Sequence, residues 1–359
     1  MPESDPLQAL QRLGTESPGW LGDGRGVEEE GIVLSTRVRL ARNLSGIPFP
    51  HQANEMQRIE LLERTWEAIS DLNGLRDGQQ FRVDELEPMD RRLLLERSLI
   101  SPVLAETQGP RGVAFSLTEA TALMVNEEDH LRLQTNEAGL APQEAWDRID
   151  GLDSHLGERL PYAYSPVYGH LTASPTDVGT GLRIGILVHL PALMLIGEAE
   201  AVLRGAAQVG MLVSGVHGEG SSVHGNMYQV SNQMTLGRSE EDILASVKRV
   251  TDQVVDQERV ARDTLRREAL AQIEDKVYRA LGVLQNARLL NTRECLNLLS
   301  AVRLGVNMFV LSGVRISTLH ELTILTQPAH LDRREGRELD SSERDALRAR
   351  LVRERLAAG

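Results

Sequence analysis

Lysine is nearly missing from this chain of 359 residues: Lys248 and Lys276 are the only two among its 39 basic residues, and neither stands in a glycine-rich loop. A Walker-type phosphate loop, which places a lysine on the phosphates, is thereby excluded. The strand lysine, HRD and DFG signatures of protein kinases are missing as well. Any phosphate handling falls to arginine. Cysteine is represented by Cys295 alone, which rules out an internal disulfide and a cysteine-based metal site and suits a reducing compartment. Its apolar, helix-like surroundings mark it as a buried bystander. Long apolar runs are also missing. The longest, near residues 182–195, is broken by Arg183, His189 and Pro191 and is too short for a bilayer, and the N-terminus MPESDPLQAL lacks a signal-peptide pattern. A cytoplasmic protein with no membrane partner is expected. The net charge of −13 argues against a nucleic-acid-coating protein, which needs a broad basic face.

What is present reads as a soluble α+β protein. Residues 1–30, rich in glycine, proline and acids with Trp20 as a lone anchor, read as an arm. GIVLSTRVRLARNL reads as a strand, residues 54–72 as a helix on the spacing of Met56, Ile59, Leu62, Trp66 and Ile69, and DRRLLLERSLI as a helix. TALMVNEEDHLRLQT reads as an apolar strand that turns abruptly charged, residues 142–160 as helix, YAYSPVYGHLTA as extended, and LRIGILVHLPAL as a buried strand. After about residue 238 nearly everything has helical period. Asp340 and Glu343 are placed for a capping box on a last helix. The expected division is an arm (1–30), a mixed domain (31–250) and a helical domain (251–359).

Charge stands at the ends of apolar strands in four stretches: STRVR, NEEDHLR, GTGLR and GVHGEG. Arg37 and Arg39 lie two apart on a strand and so share a face. With Arg132 and Arg183 they would surround one site with four guanidinium groups, as a polyphosphate and phosphoryl transfer require. Taken singly, each arginine reads as a solvated or ion-paired surface residue. Glu127, Glu128 and Asp129 repel one another unless a cation or a bound base lies among them; Glu219 is a further carboxylate between glycines. A metal ion is one partner for such acids and a substrate guanidinium another, since carboxylates pair bidentately with guanidinium and can orient it and accept its proton. His130 reads as a structural hydrogen-bonding residue, because no second histidine stands at ligand spacing. The two glycines of GTGLR fit no dinucleotide fingerprint and are expected to bring backbone close to a ligand. Ser174 lacks the G-x-S-x-G setting of a hydrolase nucleophile.

Taken together, VLSTRVRLARNL, LISP, MVNEEDHLRLQ, YGHLTASPTDVGTGLR, VHLPAL, GEG and YQVSNQMTLGRSE, in this order, closely resemble the guanidino-kinase (phosphagen kinase) family. Within it they resemble the bacterial protein arginine kinases, over roughly residues 20–359. The resemblance implies a curved antiparallel sheet flanked by helices, followed by a helical C-terminal domain. It also implies transfer of the ATP γ-phosphate to protein arginine side chains, with Mg²⁺ bound through the nucleotide. Carried over by position, Ser35, Thr36, Arg37, Val38, Arg39, Ser98, Arg132, Arg183, Ile184, Gly185, Ile186, Leu187, Ser214, Gly215, Val216, His217 and Gly218 would bind ATP. Glu127, Glu128 and Glu219, with Ser174 beside them, would serve the guanidinium.

RDALRA fits the family's RDxxRA phosphoarginine pocket, which implies an allosteric site at Arg344, Asp345, Arg348 and Ala349. Arg344 and Arg348, at i and i+4, share a helix face suited to an anion, and Asp345 could receive a guanidinium. Ser98, Ser174 and Ser214 stand where relatives carry a histidine, a cysteine and an arginine; Asp177 and Ser222 replace an asparagine and an acidic residue. Losing a phosphate-facing arginine costs on the order of several kcal/mol of transition-state stabilisation, so an attenuated kinase is the expectation. The alternative is a catalytically weak or inactive phosphoarginine-binding adaptor. By the same likeness the partners are proteins with exposed arginines, a second copy of the chain, an activator protein and a Clp-type protease.

Overall fold

A computed structural model describes residues 6–21, 31–215 and 224–358. Ten strands form among the described residues, some alternating apolar with polar residues and others, such as Gly112–Phe115 and Thr121–Val125, buried throughout. They are β1 (Val33–Arg42), β2 (Gln79–Arg82), β3 (Gly112–Phe115), β4 (Thr121–Val125), β5 (Leu131–Ala138), the short pair β6 (Tyr164–Ser165) and β7 (Gly169–His170), β8 (Leu182–His189), β9 (Met211–Ser214) and β10 (Met227–Asn232). Eight of them form one antiparallel sheet in the order β2-β3-β4-β5-β1-β8-β10-β9. Two differences from the sequence reading matter. NEEDHLRLQ is a tight loop followed by a full strand, β5, so its charges mark a hairpin tip, and YAYSPVYGH forms only a two-residue ladder.

The helices of the sheet-bearing part are α1 (Pro6–Thr15), α2 (Glu55–Ile69), α3 (Pro88–Glu96), α4 (Pro102–Glu106), α5 (Pro142–Gly157), α6 (Pro191–Ile196) and α7 (Ala199–Gln208). Asn54 and Gln57 close a capping box at the start of α2, and Pro88, Pro102, Pro142 and Pro191 open their helices, where a missing N–H costs nothing. The arm is folded. Helix α1 packs on α3 and on α12 (Pro328–Glu335), and Trp20 donates its backbone N–H to Thr118.

The C-terminal part is helical as expected: α8 (Glu240–Glu268), α9 (Leu270–Asn286), α10 (Thr292–Asn307), α11 (Ile316–Leu325), α12 and α13 (Ser341–Ala357). Helix α8 runs unbroken through residue 250, and the first break in helical backbone falls at Ala269. Asp340 and Glu343 form the capping box on α13. Cys295 is fully buried, and burial pushes its thiol up to about 11. One core joins Val38, Leu40, Leu131, Leu133, Ile184 and Ile186 of the sheet to α5 and the C-terminal helices; a second lies under α1, α3 and α4. Among the described residues no helix is long and apolar enough to cross a membrane.

Candidate active site

Strand alternation decides which residues reach the site. In β1, Arg37 lies opposite Asn136 on one side and Gly185 on the other, while Arg39 lies opposite Gln134 and Arg183. Arg132, opposite Ala41, is in phase with them. The four arginines therefore share one face, together with Ser35, Leu187, Gln229, Ser231 and Ser214. The same alternation turns Thr36, Val38, Ile184 and Ile186 into the fully buried core. These four, included in the expected nucleotide stretch, offer the site no side chain; the Thr36 hydroxyl is spent on the carbonyl of Gly139 and the amide of Ala141. Gly185 keeps the face clear, since a Cβ there would stand 2.3 Å from the Gln229 amide nitrogen.

The arginines are unequally neutralised. Arg132 pairs with Glu127, and Arg183 with Asp177 at 2.7 Å while also donating to the carbonyl of Asn232. Among the described residues no carboxylate pairs with Arg37 or Arg39. Arg37 donates its Nε–H to Asn136 at 3.2 Å, and the Nε of Arg39 has no partner. Burial, and then Arg132, pushes Arg37 down to about 10; burial with Arg132, Arg37 and Arg183 pushes Arg39 well down from its ordinary value. Burial opposes the charge of Arg132 as well, but Glu127, Asp177 and Glu128 together hold its pKa up. Two guanidiniums so crowded and short of acceptors are an anion site. A pocket of about 70 Å³ opens on them and is lined also by Ser98, Ser101, Gln134 and Gln229.

The acids sit in the loop between β4 and β5. Asn126 takes a left-handed conformation, φ 60°, and its side-chain amide donates to the carbonyls of Arg58 and Pro110, fixing the loop. His130 is structural, as expected: its Nδ1 accepts from the amide of Leu44 at 2.9 Å, so Nε2 carries the proton donated to Pro48, and burial lowers its pKa. Asp129 points away from the other two acids and accepts from Asn43 and from the amide of Ala173 at 2.7 Å. That bond brings Ser174 beside Glu127 and Glu128, at a pocket of about 480 Å³ that His51 and Arg58 also line.

Glu127 is buried; one carboxylate oxygen takes hydrogen bonds from Arg132 and Ser101 and the other has no partner. Glu128 faces the pocket opening, and partial burial together with Glu127 raises its pKa. A raised carboxylate beside a free carboxylate oxygen can orient a guanidinium and take a proton from it. The Arg132–Glu127 pair joins this pocket to the anion site.

Glu219, Val216, His217 and Gly218 lie outside the described residues. Ser214 ends β9 on the arginine-bearing face, with its hydroxyl turned to the carbonyl of Gly215. Ser98, in a left-handed turn with φ 58°, meets the anion pocket and accepts from Gln134 through its carbonyl. The glycines of GTGLR let the chain pack closely on itself: a Cβ on Gly181 would stand 2.6 Å from the carbonyl of Ala41, and one on Gly179 2.9 Å from Leu236. Asn136, Gln134, Ser101 and the Asp177–Arg183 pair were not anticipated. The alternation of Arg132, Gln134 and Asn136 with buried Leu131, Leu133 and Thr135 was the signal for the first two.

On α13, Arg344 is held by both oxygens of buried Asp332, at 2.8 and 2.7 Å. Arg348 is fully buried and donates to the carbonyls of Thr326 and Leu290 and to Asp345. The two arginines are four apart, but only Arg344 and Asp345 retain partial exposure.

Comparison with known proteins shows the family. Residues 60–261 match the ATP:guanido phosphotransferase C-terminal catalytic domain, and residues 270–359 the protein-arginine kinase McsB C-terminal domain. The substrate-free duplicated taurocyamine kinase of Schistosoma mansoni superposes with a TM-score of 0.57 at 21% identity, over 79% of this chain and 41% of that one. A lombricine kinase does so with a TM-score of 0.58 at 20% identity, over 68% and 72%. The fold is thus that of the guanidino kinases. The protein-arginine kinase of Moorella thermoacetica is 45% identical over 94% of this chain and 97% of its own length; that of Halothermothrix orenii is 43% identical over 93% and 95%. The chain belongs to the ATP:guanido phosphotransferase family, in its protein-arginine kinase branch, and is an ATP-using kinase.

Proposed function

We propose that this enzyme moves the γ-phosphate of ATP to arginine side chains of proteins. The observation that carries the reading is the Arg132–Glu127 pair, which couples an anion site holding two uncompensated guanidiniums, Arg37 and Arg39, to a carboxylate pocket. The phosphates fit the first, whose donors lack acceptors; Mg²⁺ arrives on the phosphate oxygens. The substrate guanidinium fits the second, held by the free oxygen of Glu127 and by Glu128. As the bond from a guanidinium nitrogen to phosphorus forms, the bond from phosphorus to the bridging oxygen of ADP breaks, and the nitrogen's proton passes to Glu128. Arg37, Arg39, Arg132 and Arg183 hold the charge that shifts onto the phosphate oxygens.

We infer a rate below the family's full one: Asp177 neutralises Arg183, and Ser214 offers a hydroxyl where the family resemblance implies an arginine. The family likeness also supports the setting, in which a dimer acts with an activator protein and a Clp-type protease, and phosphoarginine marks clients for degradation. We read Arg344, Asp345, Arg348 and Ala349 as a regulatory phosphoarginine site, a reading that the family likeness supports. There the phosphate would displace Asp332 from Arg344 while buried Arg348 keeps the pocket in shape. Incubation with casein, ATP and Mg²⁺ should yield acid-labile phosphate on arginine, lost in Glu128→Ala. No label above that variant's background removes the reading.

A further inference from the structure

The carboxylate pocket has a basic wall as well as an acidic one. Glu127 and Glu128 reach it from the loop between β4 and β5, whereas Arg58 reaches it from the first turn of α2, with His51, Val103 and Thr107 also lining it. At about 480 Å³ the space is that of a small-ligand site, and the two acids account only for the guanidinium of an entering arginine. Asn126 holds the two walls in register. Its side-chain amide, one residue before Glu127, donates to the backbone carbonyl of Arg58 at 2.9 Å and to that of Pro110 at 3.0 Å. Asn126 is fully buried, so cation and acids keep a fixed relation to each other.

Arg58 lacks a countercharge. Among the described residues no carboxylate pairs with it; two of its five N–H groups go to the carbonyls of Gln108 and Pro50, and its Nε is buried without a partner. Arg111, just before β3, likewise gives its guanidinium to carbonyls, those of Leu104 and Gly109. Burial first, and then Arg91 and Arg58, press Arg111 down against the pull of Asp84. Positive charge therefore accumulates behind this wall. A carbonyl holds a guanidinium in place but does not neutralise it, and a planar guanidinium so held is suited to a carboxylate. The bond from Arg58 to Gln108 lies at the exposed end of the side chain, which keeps the cation within reach of the pocket mouth.

We propose that Arg58 receives a carboxylate of the substrate and so selects arginines that carry one close by in their own chain. The inference rests on the reading of Glu127 and Glu128 as the guanidinium site. An arginine whose tip lies on those acids has its backbone at the mouth, and its neighbours follow at intervals of about 3.8 Å. An aspartate or glutamate among them meets Arg58, and Glu128 repels it from the acidic wall. The α-carboxylate of a chain-terminal arginine offers the same chemistry. Lysine or arginine neighbours meet Arg58 with like charge and are disfavoured.

Three peptides that differ only around a single arginine test this, each measured by its inhibition constant against ATP-dependent labelling of casein. One has blocked ends and alanine neighbours, one has blocked ends and aspartate neighbours, and one ends in the arginine with its carboxylate free. At least one of the two carboxylate peptides should bind about fivefold more tightly than the alanine peptide, the upper end for a partly exposed ion pair. Which of them does so tells whether the carboxylate is a side chain or a chain end. In Arg58→Gln the advantage should shrink below about twofold. A purely structural role would weaken all three peptides alike and leave the ratio in place, which overturns the assignment. So does the lack of any advantage in the unaltered protein, a comparison that needs no variant; in both cases the kinase reading stands. If the unaltered protein puts no label on casein, the kinase reading falls and takes this one with it.

Discussion

Asp177 shows how a single side chain can set the strength of the anion site. Its carboxylate lies 2.7 Å from Arg183, with both side chains about one fifth exposed, and so competes with any phosphate for that guanidinium. Asp177 also adds negative charge near Glu128, the last and smallest of the influences that raise its pKa after burial, Glu127 and Asp129. Asn at this position keeps the shape and removes the competing charge. Asp177→Asn should lower the KM for ATP about threefold, the scale of a partly exposed ion pair, with the fold unchanged by circular dichroism. An unchanged or raised KM would show that Asp177 positions Arg183 rather than occupying it.

At the scale of elements, the pairing of Arg37 with Arg39 was readable because a period of two assigns faces without knowledge of the partners. That period also dictates that Thr36 and Val38 turn inward, which a contiguous motif conceals. Strand β5 was obscured because its polar face, Arg132, Gln134 and Asn136, points at the site and dilutes the hydrophobic signal. The burial of Glu127 against Ser101 at the start of α4 and the arrival of Arg303 beside Leu187 depend on helix docking, and no local pattern encodes them.

The folding of the arm has the same origin. Arg97, at the end of α3, meets both oxygens of buried Glu119 and also donates to the carbonyls of Leu13 and Glu16, so one guanidinium joins α1, α3 and the β3–β4 turn. Arg97→Ala leaves Glu119 buried without a partner and should cost about 3–5 kcal/mol in urea unfolding. The double variant Arg97→Met, Glu119→Leu should recover much of it. A single-variant loss below about 1 kcal/mol would mean that α1 is held by its apolar contacts alone.

Across the whole molecule, buried histidines stand where the sheet meets the helical part and inside the helical part itself. His189 of β8 shares a 2.7 Å hydrogen bond with Ser300 of α10, and His320 of α11 accepts from Arg303. Burial is the first cause that presses both well below the ordinary value, with Arg303 the next. The folded pKa being depressed, the unfolded chain binds these protons first. The stability they contribute is therefore full above the ordinary histidine pKa of about 6.5 and is lost as pH falls below it. Each ring kept neutral costs about 1.4 kcal/mol per pH unit in that range. Between pH 7.5 and 5.5 the melting temperature should fall. His320→Gln, which retains an acceptor for Arg303, should flatten that fall and leave the pH 7.5 value nearly in place. Saturating ATP binds only the folded state and so should raise the melting temperature at both pH values. A pH response identical in the variant would place the acid-labile contact elsewhere than at the His320–Arg303 pair.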